Sequence, residues 1–202
     1  MTITNSENTR QPFNFLHGHL VTKNFLSVQD CEKIRELGLA KDIKPGLVNH
    51  LDSAKESEVR KNKICWLYED DTTEWLFDKL QNTASLVNDR FFNFNINCFE
   101  PLQFTMYDTS GDHYGFHTDL DCNLVEDDQR KLSFIIQLTD ENEYKGCDVE
   151  FLLDPRGPKT KLATRQQGSL IIFSSLAYHR VTPLLEGTRI SLVGWIRGRP
   201  FR

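Results

Sequence analysis

The chain has 202 residues, of which 39% are hydrophobic, and its 24 basic and 29 acidic side chains give a formal net charge of −5. This composition is typical of a globular protein and excludes a collagen-like fibre, a coiled coil and a wholly disordered chain. The acidic balance disfavours a dedicated nucleic-acid-binding protein, because such proteins usually carry a basic surface.

Five cysteines are scattered along the chain at positions 31, 65, 98, 122 and 147, without a CxxC pair. This spacing suits neither a disulfide framework nor a thiolate zinc site, so it predicts reduced thiols and a cytoplasmic protein. The sequence shows neither an N-terminal export signal nor an apolar run of about 18 residues, so we expect no membrane association.

The N-terminal end of the chain is polar and aperiodic, and we expect residues 1–16 to form a flexible tail. Neither an internal repeat nor a low-complexity linker divides the remainder of the chain. The sequence therefore predicts a single domain from residue 17 to residue 202.

Two helices are predicted before residue 100. Ser27 and Asp30 have the spacing of an N-terminal cap, and the helix they begin should end near Gly38. Asp71 and Glu74 have the spacing of a second cap. Apolar residues follow that cap at helical spacing and are expected to cover a sheet: Leu76, Leu80, Ala84, Val87 and Phe91.

From residue 100 onward the apolar residues recur at every second position, as they do in strands. The run 102–107 alternates in this way, and further strand-like runs follow at 132–138, 149–153, 170–173 and 189–196. Short strands separated by Gly, Asp and Pro favour a β-sandwich or barrel. The predicted class is α+β, mainly β, with helices on the N-terminal side.

Two histidines and a carboxylate form a candidate metal site. His117 and Asp119 are two residues apart, so on a strand their side chains would share a face and could reach one ion. His179 follows the strand-like run at 168–173. Two imidazoles and one carboxylate on one side of a metal leave three coordination positions open, as in the facial triad of non-haem Fe(II) oxygenases.

Arg189 lies ten residues after His179 on an alternating strand that also carries Ser191 on the same face. A buried arginine that faces a metal site is costly unless an anion pairs with it. A dicarboxylate co-substrate that chelates the metal at one end could supply that anion at its other end through a bidentate pair.

Three segments, at 103–119, 133–151 and 168–196, resemble the 2-oxoglutarate- and Fe(II)-dependent dioxygenases of the prolyl 4-hydroxylase superfamily, in its prolyl/lysyl-hydroxylase-type branch. The resemblance covers residues 100–197. It implies a double-stranded β-helix, which is a jelly-roll core with the iron inside, supported by N-terminal helices. This agrees with the mainly β class predicted from the alternating runs.

The resemblance also implies a role for individual residues. His117, Asp119 and His179 would bind Fe(II), while Arg189 and Tyr107 would bind the carboxylate of 2-oxoglutarate. The reaction would consume O₂, release succinate and CO₂, and hydroxylate an aliphatic C–H bond. The substrate would be an amino acid, or a prolyl- or lysyl-type residue of a peptide or protein. No catalytic side chain is required beyond the metal ligands.

Secondary candidates accompany these residues. Ser191 gives an Arg-x-Ser pattern that occurs in other 2-oxoglutarate enzymes, and Gln137 shares a strand face with Ser133 and could line the pocket. The acidic segment 121–130 follows the HxD motif and is expected to be a mobile loop, either a plain connector or a lid over the substrate. The pair His17 and His19 is expected at the surface.

Two other functions remain open at this stage. A nucleic-acid dealkylating dioxygenase also has an HxD motif, a later His and a downstream Arg, but the acidic charge argues against it and no nucleic-acid partner is expected. A non-catalytic jelly-roll binding module would normally have lost metal ligands, whereas His117, Asp119 and His179 are all present. A halogenase is disfavoured because Asp119 occupies the position that a halide would need.

Overall fold

The structure, a computed structural model, describes residues 3–5, 18–47, 58–120, 128–153 and 159–201. Within these ranges helix α1 spans Val28–Leu39 and helix α2 spans Glu74–Val87. A π-helical turn at Asn88–Phe92 continues α2. Apart from a helical fragment at residues 58–59, the rest of the described regular structure is β, which confirms the predicted α+β, mainly β class.

The strands of the described residues are short and are joined mostly by polar turns. They are β1 Ile3–Asn5, β2 His19–Thr22, β3 Lys44–Pro45, β4 Arg60–Lys61, β5 Lys63–Leu67, β6 Cys98–Phe99, β7 Leu102–Tyr107, β8 His113–His117, β9 Gln129–Gln137, β10 Tyr144–Gly146, β11 Val149–Leu152, β12 Thr160–Leu162, β13 Leu170–Ser174, β14 His179–Val181, β15 Leu184–Gly187 and β16 Arg189–Gly198. All five runs predicted from the alternating pattern are strands.

Two antiparallel sheets form the core. The major sheet has the order β1-β2-β13-β9-β16-β7-β5-β3, with β6 also paired to β16, and the minor sheet has the order β12-β11-β14-β8-β4. Val21, Ile135 and Ile171 of the major sheet share an apolar layer with Val149 and Phe151 of the minor sheet. Two sheets that face each other across such a layer form the predicted jelly-roll core.

The alternation along the central strands separates two environments. On β7, Leu102 and Phe104 belong to the apolar cluster that the helices also join, whereas Gln103, Thr105 and Tyr107 line a cavity on the opposite face. Because successive side chains on a strand point to opposite faces, one sequence run builds both the helix-covered core and the cavity wall. The apolar face predicted for α2 is buried in the helix-covered cluster, at Leu76, Leu80, Ala84 and Val87.

The cap predicted for α1 is confirmed. The Asp30 backbone N–H donates to Ser27 Oγ at 3.0 Å, and the Ser27 N–H donates to Asp30 Oδ2 at 3.1 Å. This reciprocal pair satisfies two backbone donors that the first turn of a helix would otherwise leave without partners.

The cap predicted for α2 at Asp71 is wrong, because the helix begins only at Glu74, after Thr73. The preceding residue, Asp70, accepts hydrogen bonds at Oδ1 from the Thr72 N–H at 2.9 Å and the Thr72 hydroxyl at 2.6 Å. These bonds hold residues 70–72 as a turn. Because Asp70, and not Asp71, accepts the hydrogen bonds of Thr72, the helix starts only after this turn.

Two segments were expected to be flexible. In the predicted tail 1–16, the backbone of Ile3–Asn5 pairs antiparallel with β2, and the rest lies outside the described residues. The predicted loop 121–130 extends too far at its C-terminal end, because Gln129 and Arg130 belong to β9. Arg130 is fixed there by a bidentate ion pair with Glu100, at 2.7 and 2.6 Å. Residues 121–127 lie outside the described residues, and the lid role stays a prediction.

Gly38 of α1 lies directly against β7. A Cβ atom at this position would lie 2.2, 2.3 and 2.6 Å from three ring carbons of Phe104, which is fully buried. Glycine is therefore required here by the close approach of the helix to the sheet, and not by the backbone conformation.

We expect Gly38→Ala to lower the free energy of unfolding by about 1–2 kcal/mol. Overpacking a core costs about 1–3 kcal/mol, whereas the higher helix propensity of alanine returns about 1 kcal/mol. Urea unfolding measures the difference, and Glu36→Ala on the exposed side of the same helix is the control, with an expected change within about 0.5 kcal/mol. A more stable Gly38→Ala protein would show that helix and sheet are not in this contact.

The expectation that His19 lies at the surface is wrong. His19 is 1% exposed, and its ring stacks on Phe151 with the centroids 4.4 Å apart. The reason is the position of β2 between β1 and β13, which places all four of its side chains in the interior. Burial, with Lys161 adding a smaller effect of the same sign, lowers the pKa of His19 to about 4.

This lowered pKa predicts acid sensitivity. Below about pH 6.5 the unfolded chain protonates His19, whereas the folded chain keeps it neutral down to about pH 4, so stability falls as the pH falls through this window. Between pH 7 and pH 5, the wild-type protein should lose about 2 kcal/mol more than His19→Phe, in which a ring stays on Phe151 but cannot titrate. Urea unfolding at both pH values tests this. Equal losses in the two proteins would contradict it.

The thiols agree with the prediction where the structure describes them. Cys31, Cys65, Cys98 and Cys147 are free, and Cys122 lies outside the described residues. Among the described residues, no helix has the length and apolar character needed to span a bilayer.

Candidate metal centre

The three predicted metal ligands converge in the structure. His117 ends β8 and His179 begins β14, and the two residues lie directly opposite each other in the antiparallel pairing of these strands. One potential ligand atom from each of His117, Asp119 and His179 lies within 4.8 Å of the others. Strand register thus brings together two histidines that are 62 positions apart in the sequence.

Asp119 reaches the site in a different way from the one predicted. The strand ends at His117, so Asp119 does not share its face with His117 by strand geometry. Instead, the backbone N–H groups of Asp119 and Leu120 both donate to the Ser175 carbonyl at 3.0 Å. The loop after β13 therefore holds the carboxylate in place.

Both imidazoles are oriented by backbone carbonyls. His117 Nδ1 lies 2.8 Å from the Gly115 oxygen, and His179 Nδ1 lies 3.0 Å from the Ala177 oxygen. Since a carbonyl oxygen only accepts, each Nδ1 carries the proton and each Nε2 presents a lone pair. The Nε2 atoms lie 3.4 and 3.7 Å from the two carboxylate oxygens of Asp119.

The surroundings favour the neutral form of His179 and the ionised form of Asp119. Burial, and the neighbouring His117, lower the pKa of His179 to about 4. For Asp119, burial opposes ionisation, but His179 and His117 outweigh it and hold its pKa below the usual range. At neutral pH His179 therefore presents a lone pair and Asp119 a negative charge, which are the states that a metal ion requires.

The donor set fits a divalent iron ion. Asp119 Oδ2 is buried and has no hydrogen-bond partner, which is costly unless a cation binds it. Two imidazole nitrogens and one carboxylate oxygen match the facial arrangement that suits Fe(II). Phe173 packs edge-on against His179 at 4.7 Å between centroids and screens that side of the site from water.

Arg189 is a buried cation in the same cavity. It is 1% exposed, its Cζ lies 5.6 Å from the centre of the Tyr107 ring, and its Nε has no hydrogen-bond partner. Among the described residues, no carboxylate oxygen lies within 4.0 Å of its guanidinium. A buried guanidinium with only neutral neighbours favours an anionic ligand.

Gln137 does not line the cavity as expected, but lies behind Arg189. Its Oε1 accepts from Arg189 Nη2 at 2.9 Å, while its Nε2 donates to the Thr164 carbonyl at 2.9 Å. The second bond fixes which end of the amide faces the arginine, so Gln137 orients the guanidinium. Tyr107 and Ser191 line the cavity, and their roles toward 2-oxoglutarate stay predictions.

The cavity has a volume of about 960 Å³. It extends from the three metal ligands and Arg189 to an outer part walled by Trp66 and Trp195, whose rings lie 6.1 Å apart. This volume is at the upper end of the range of about 300–1,000 Å³ that encloses a drug-sized ligand.

Sequence reasoning missed two cavity residues, Arg60 and Tyr114. The Tyr114 ring stacks on the His117 imidazole with the centroids 3.7 Å apart, and Arg60 Cζ lies 4.7 Å from the centre of the Tyr114 ring. Tyr114 stands three residues before His117, which was a local signal that could have been used. No sequence motif marks Arg60. It reaches the cavity through the pairing of β4 with β8, which places it opposite Tyr114.

Comparison with known proteins relates the second half of the chain to one family. Residues 102–197 match the sequence model of the 2OG-Fe(II) oxygenase superfamily. PKHD-type hydroxylases from Synechococcus sp. strain CC9605 and from Prochlorococcus marinus are 34% identical over 88 residues and 36% identical over 89 residues. Each match covers 44% of this chain and 38% of the relative, so the chain aligns with less than half the length of these curated relatives.

Solved structures show the same fold over nearly the whole chain. A prolyl-4-hydroxylase from Pseudomonas putida is similar with a TM-score of 0.66 and 19% identity, over 91% of this chain and 94% of that one. A prolyl hydroxylase from Trichoplax adhaerens, in complex with a peptide fragment of hypoxia inducible factor, gives a TM-score of 0.71 and 21% identity, over 89% and 83%. These similarities confirm the predicted double-stranded β-helix with supporting helices.

Proposed function

Because residues 102–197 match the sequence model of the 2OG-Fe(II) oxygenase superfamily, we propose that this protein is an Fe(II)- and 2-oxoglutarate-dependent dioxygenase. It hydroxylates an aliphatic C–H bond of a prolyl- or lysyl-type residue in a peptide or protein and releases succinate and CO₂. One observation carries the proposal: the trio His117, Asp119 and His179 shares a cavity with the buried, uncompensated cation of Arg189.

His117, Asp119 and His179 would hold the iron. Bound together, Fe(II) and 2-oxoglutarate supply the activation of O₂ that C–H hydroxylation needs. The protein contributes the geometry: two carbonyl-bound imidazoles direct Nε2 at the metal position, and the ionised carboxylate supplies one negative charge. Three coordination positions stay open for the co-substrate and O₂.

Arg189 would bind the far carboxylate of 2-oxoglutarate, with Tyr107 and Ser191 beside it. Arg189 and Tyr107 lie opposite each other in the pairing of β16 with β7, so the cation and the hydroxyl group share one end of the cavity. Burial raises the pKa of Tyr107, so its hydroxyl keeps its proton and can donate a hydrogen bond to a carboxylate. Gln137 holds the guanidinium in orientation from behind.

The shape of the cavity supports a peptide rather than a free amino acid as the substrate. A cavity of about 960 Å³ leaves ample space beside a small dicarboxylate. Its wall includes the exposed apolar side chains of Leu47 and Tyr68, which suit contact with further residues of a chain. The similar Trichoplax adhaerens enzyme was solved with a peptide.

A succinate-release assay tests the proposal. The protein is supplied with Fe(II), 2-oxoglutarate and O₂, and is screened over free amino acids and over peptides that contain Pro or Lys. We expect a peptide to stimulate succinate formation more than free amino acids do, and to gain the mass of one oxygen atom. Absence of succinate formation with every substrate would reject the dioxygenase function. Stimulation by free amino acids alone would reject the peptide substrate.

We also propose that the protein acts in the cytoplasm. The support is chemical: the four cysteines that the structure describes are free thiols, which are typical of a reducing compartment. Thiol titration of protein isolated without reductant would show four or more free thiols if this is so, and disulfides would contradict it.

A further inference from the structure

Arg60 on β4 is a second guanidinium in the cavity wall whose partners are all neutral. It is 9% exposed, and its Nε and Nη2 donate to Asn62 Oδ1 at 3.0 Å and to Gln103 Oε1 at 2.8 Å. Its Nη1 donates to the Leu47 carbonyl at 3.4 Å. No carboxylate oxygen of the described residues lies within 4.0 Å of it. A nearly buried positive charge is therefore solvated only by amide oxygens.

The charges at the inner end of the cavity balance without Arg60. When Fe(II) and 2-oxoglutarate are bound, the dication and Arg189 oppose Asp119 and a dicarboxylate, and the sum is zero. Arg60 then remains as an unneutralised cation beside a neutral centre.

Other cations that line the cavity do not share this property. Arg130 is neutralised by Glu100 through two hydrogen bonds, and Lys44 pairs with Asp42 at 3.1 Å. Lys41 is exposed, so water screens its charge. Among the described cations of this wall, only Arg189 and Arg60 are buried and lack an anionic partner. Arg189 is assigned to the co-substrate, so Arg60 is left without an anion.

The position of Arg60 is close to the metal ligands without being part of them. Its guanidinium lies over Tyr114, and Tyr114 stacks on His117. One aromatic ring therefore separates the guanidinium from the imidazole. A carboxylate bound to Arg60 would hold the adjoining carbon atoms near the metal centre, within about two to three residues of chain length.

We propose that Arg60 binds a carboxylate of the substrate and selects substrates that carry one next to the hydroxylated residue. A guanidinium has five N–H groups, so the three bonds to neutral oxygens leave two, as many as a bidentate carboxylate accepts. The carboxylate comes either from the α-carboxyl group of the target residue or from a neighbouring Asp or Glu side chain. This inference rests on the proposed function.

Matched acid and amide probes test it on the wild-type protein. Calorimetric titration under nitrogen, with Fe(II) and 2-oxoglutarate bound, compares three pairs: L-proline with L-prolinamide, acetyl-Asp-Pro-amide with acetyl-Asn-Pro-amide, and acetyl-Pro-Asp-amide with acetyl-Pro-Asn-amide. We expect the acid of at least one pair to bind about tenfold to a hundredfold more tightly than its amide. The pair that shows the difference identifies the source of the carboxylate.

Variants assign the preference to Arg60. Arg60→Gln removes the charge and should bring the acid-to-amide ratio close to one, whereas Arg60→Lys keeps the charge and should retain part of the ratio. Arg180→Gln is the control, because Arg180 pairs with Glu150 at 2.6 Å on the minor sheet and should leave the ratio unchanged. If Arg60→Gln does not fold, the wild-type ratios and Arg60→Lys still decide.

The proposal would be overturned if the wild-type protein bound acid and amide within twofold of each other in all three pairs, or bound none of the probes. An unchanged acid-to-amide affinity ratio in Arg60→Gln would also overturn it. So would a tenfold loss of 2-oxoglutarate affinity in Arg60→Gln, which would place Arg60 in the co-substrate site. Failure of the proposed function has a separate signature. In that case no 2-oxoglutarate-dependent succinate would form with any probe, whether or not carboxylates bind.

Discussion

His179→Ala is expected to abolish succinate formation and to lower the iron content below the one ion per chain expected of the wild-type protein. The substitution removes one of the three ligand atoms and leaves only His117 and Asp119 at the site. Loss of a group that merely orients a ligand typically costs about 10–100-fold in metal affinity, so loss of the ligand itself should cost more. Anaerobic Fe(II) titration and metal analysis measure the binding, and the succinate assay measures the activity.

The matched control for this variant is His113→Ala on the same strand as His117. The two ring nitrogens of His113 lie 2.8 and 2.9 Å from the carbonyl oxygens of Gly111 and Glu58, away from the metal ligands. His113→Ala should therefore keep its iron even if it loses some stability. Full iron content and full activity in His179→Ala, confirmed as folded by circular dichroism, would disprove the assignment of the trio.

Arg189→Ala is expected to raise the apparent KM for 2-oxoglutarate strongly while iron binding is unchanged. Loss of one partner of a desolvated charge pair costs about 2–5 kcal/mol, which corresponds to about 30- to 3,000-fold in affinity. Arg189 is buried and has no anionic partner among the described residues, so the upper half of this range applies. Succinate formation at increasing 2-oxoglutarate concentrations gives the KM, and Fe(II) titration of the same variant gives the iron affinity.

Two other arginines serve as controls for this result. Arg180 pairs with Glu150 at 2.6 Å, and Arg197 pairs at 3.1 Å with Glu100, an anion that it shares with Arg130. Alanine at either position should leave the KM for 2-oxoglutarate close to the wild-type value. A normal KM in Arg189→Ala together with a raised KM in one of these two variants would move the co-substrate site to that arginine.

Much of the fold could be predicted because its signals are local. Period-two alternation located β7, β9, β11, β13 and β16, and it also separated the cavity-facing side chains from the helix-facing ones. The spacing of Ser27 and Asp30 predicted the N-terminal cap of the first helix, because a capping pattern spans only four residues. The candidate metal ligands could be proposed for a similar reason, since His117 and Asp119 form a compact motif.

The misses have physical causes that a single sequence does not display. Arg60 meets Gln103 across 43 positions of the chain, and this contact depends on the order of strands in two sheets. Gln137 was placed on the cavity-facing side correctly, but its bond to Thr164 turns the amide toward Arg189. His19 was expected at the surface because it matches no functional position of the family, whereas its strand lies between two others and all four of its side chains are buried.

The carbonyl partners of His117 and His179, the two histidines proposed to bind iron, have a consequence for how this site could change over evolution. Each imidazole is held by the residue two positions earlier in its own segment, Gly115 for His117 and Ala177 for His179. The hydrogen bond that orients each ring is thus supplied by a short stretch of main chain and not by another side chain. Mutations that reshape the walls of the cavity, and with them the choice of substrate, can accumulate while the histidine geometry is inherited intact. An engineer could exploit the same separation by randomising wall positions without redesigning the metal ligands.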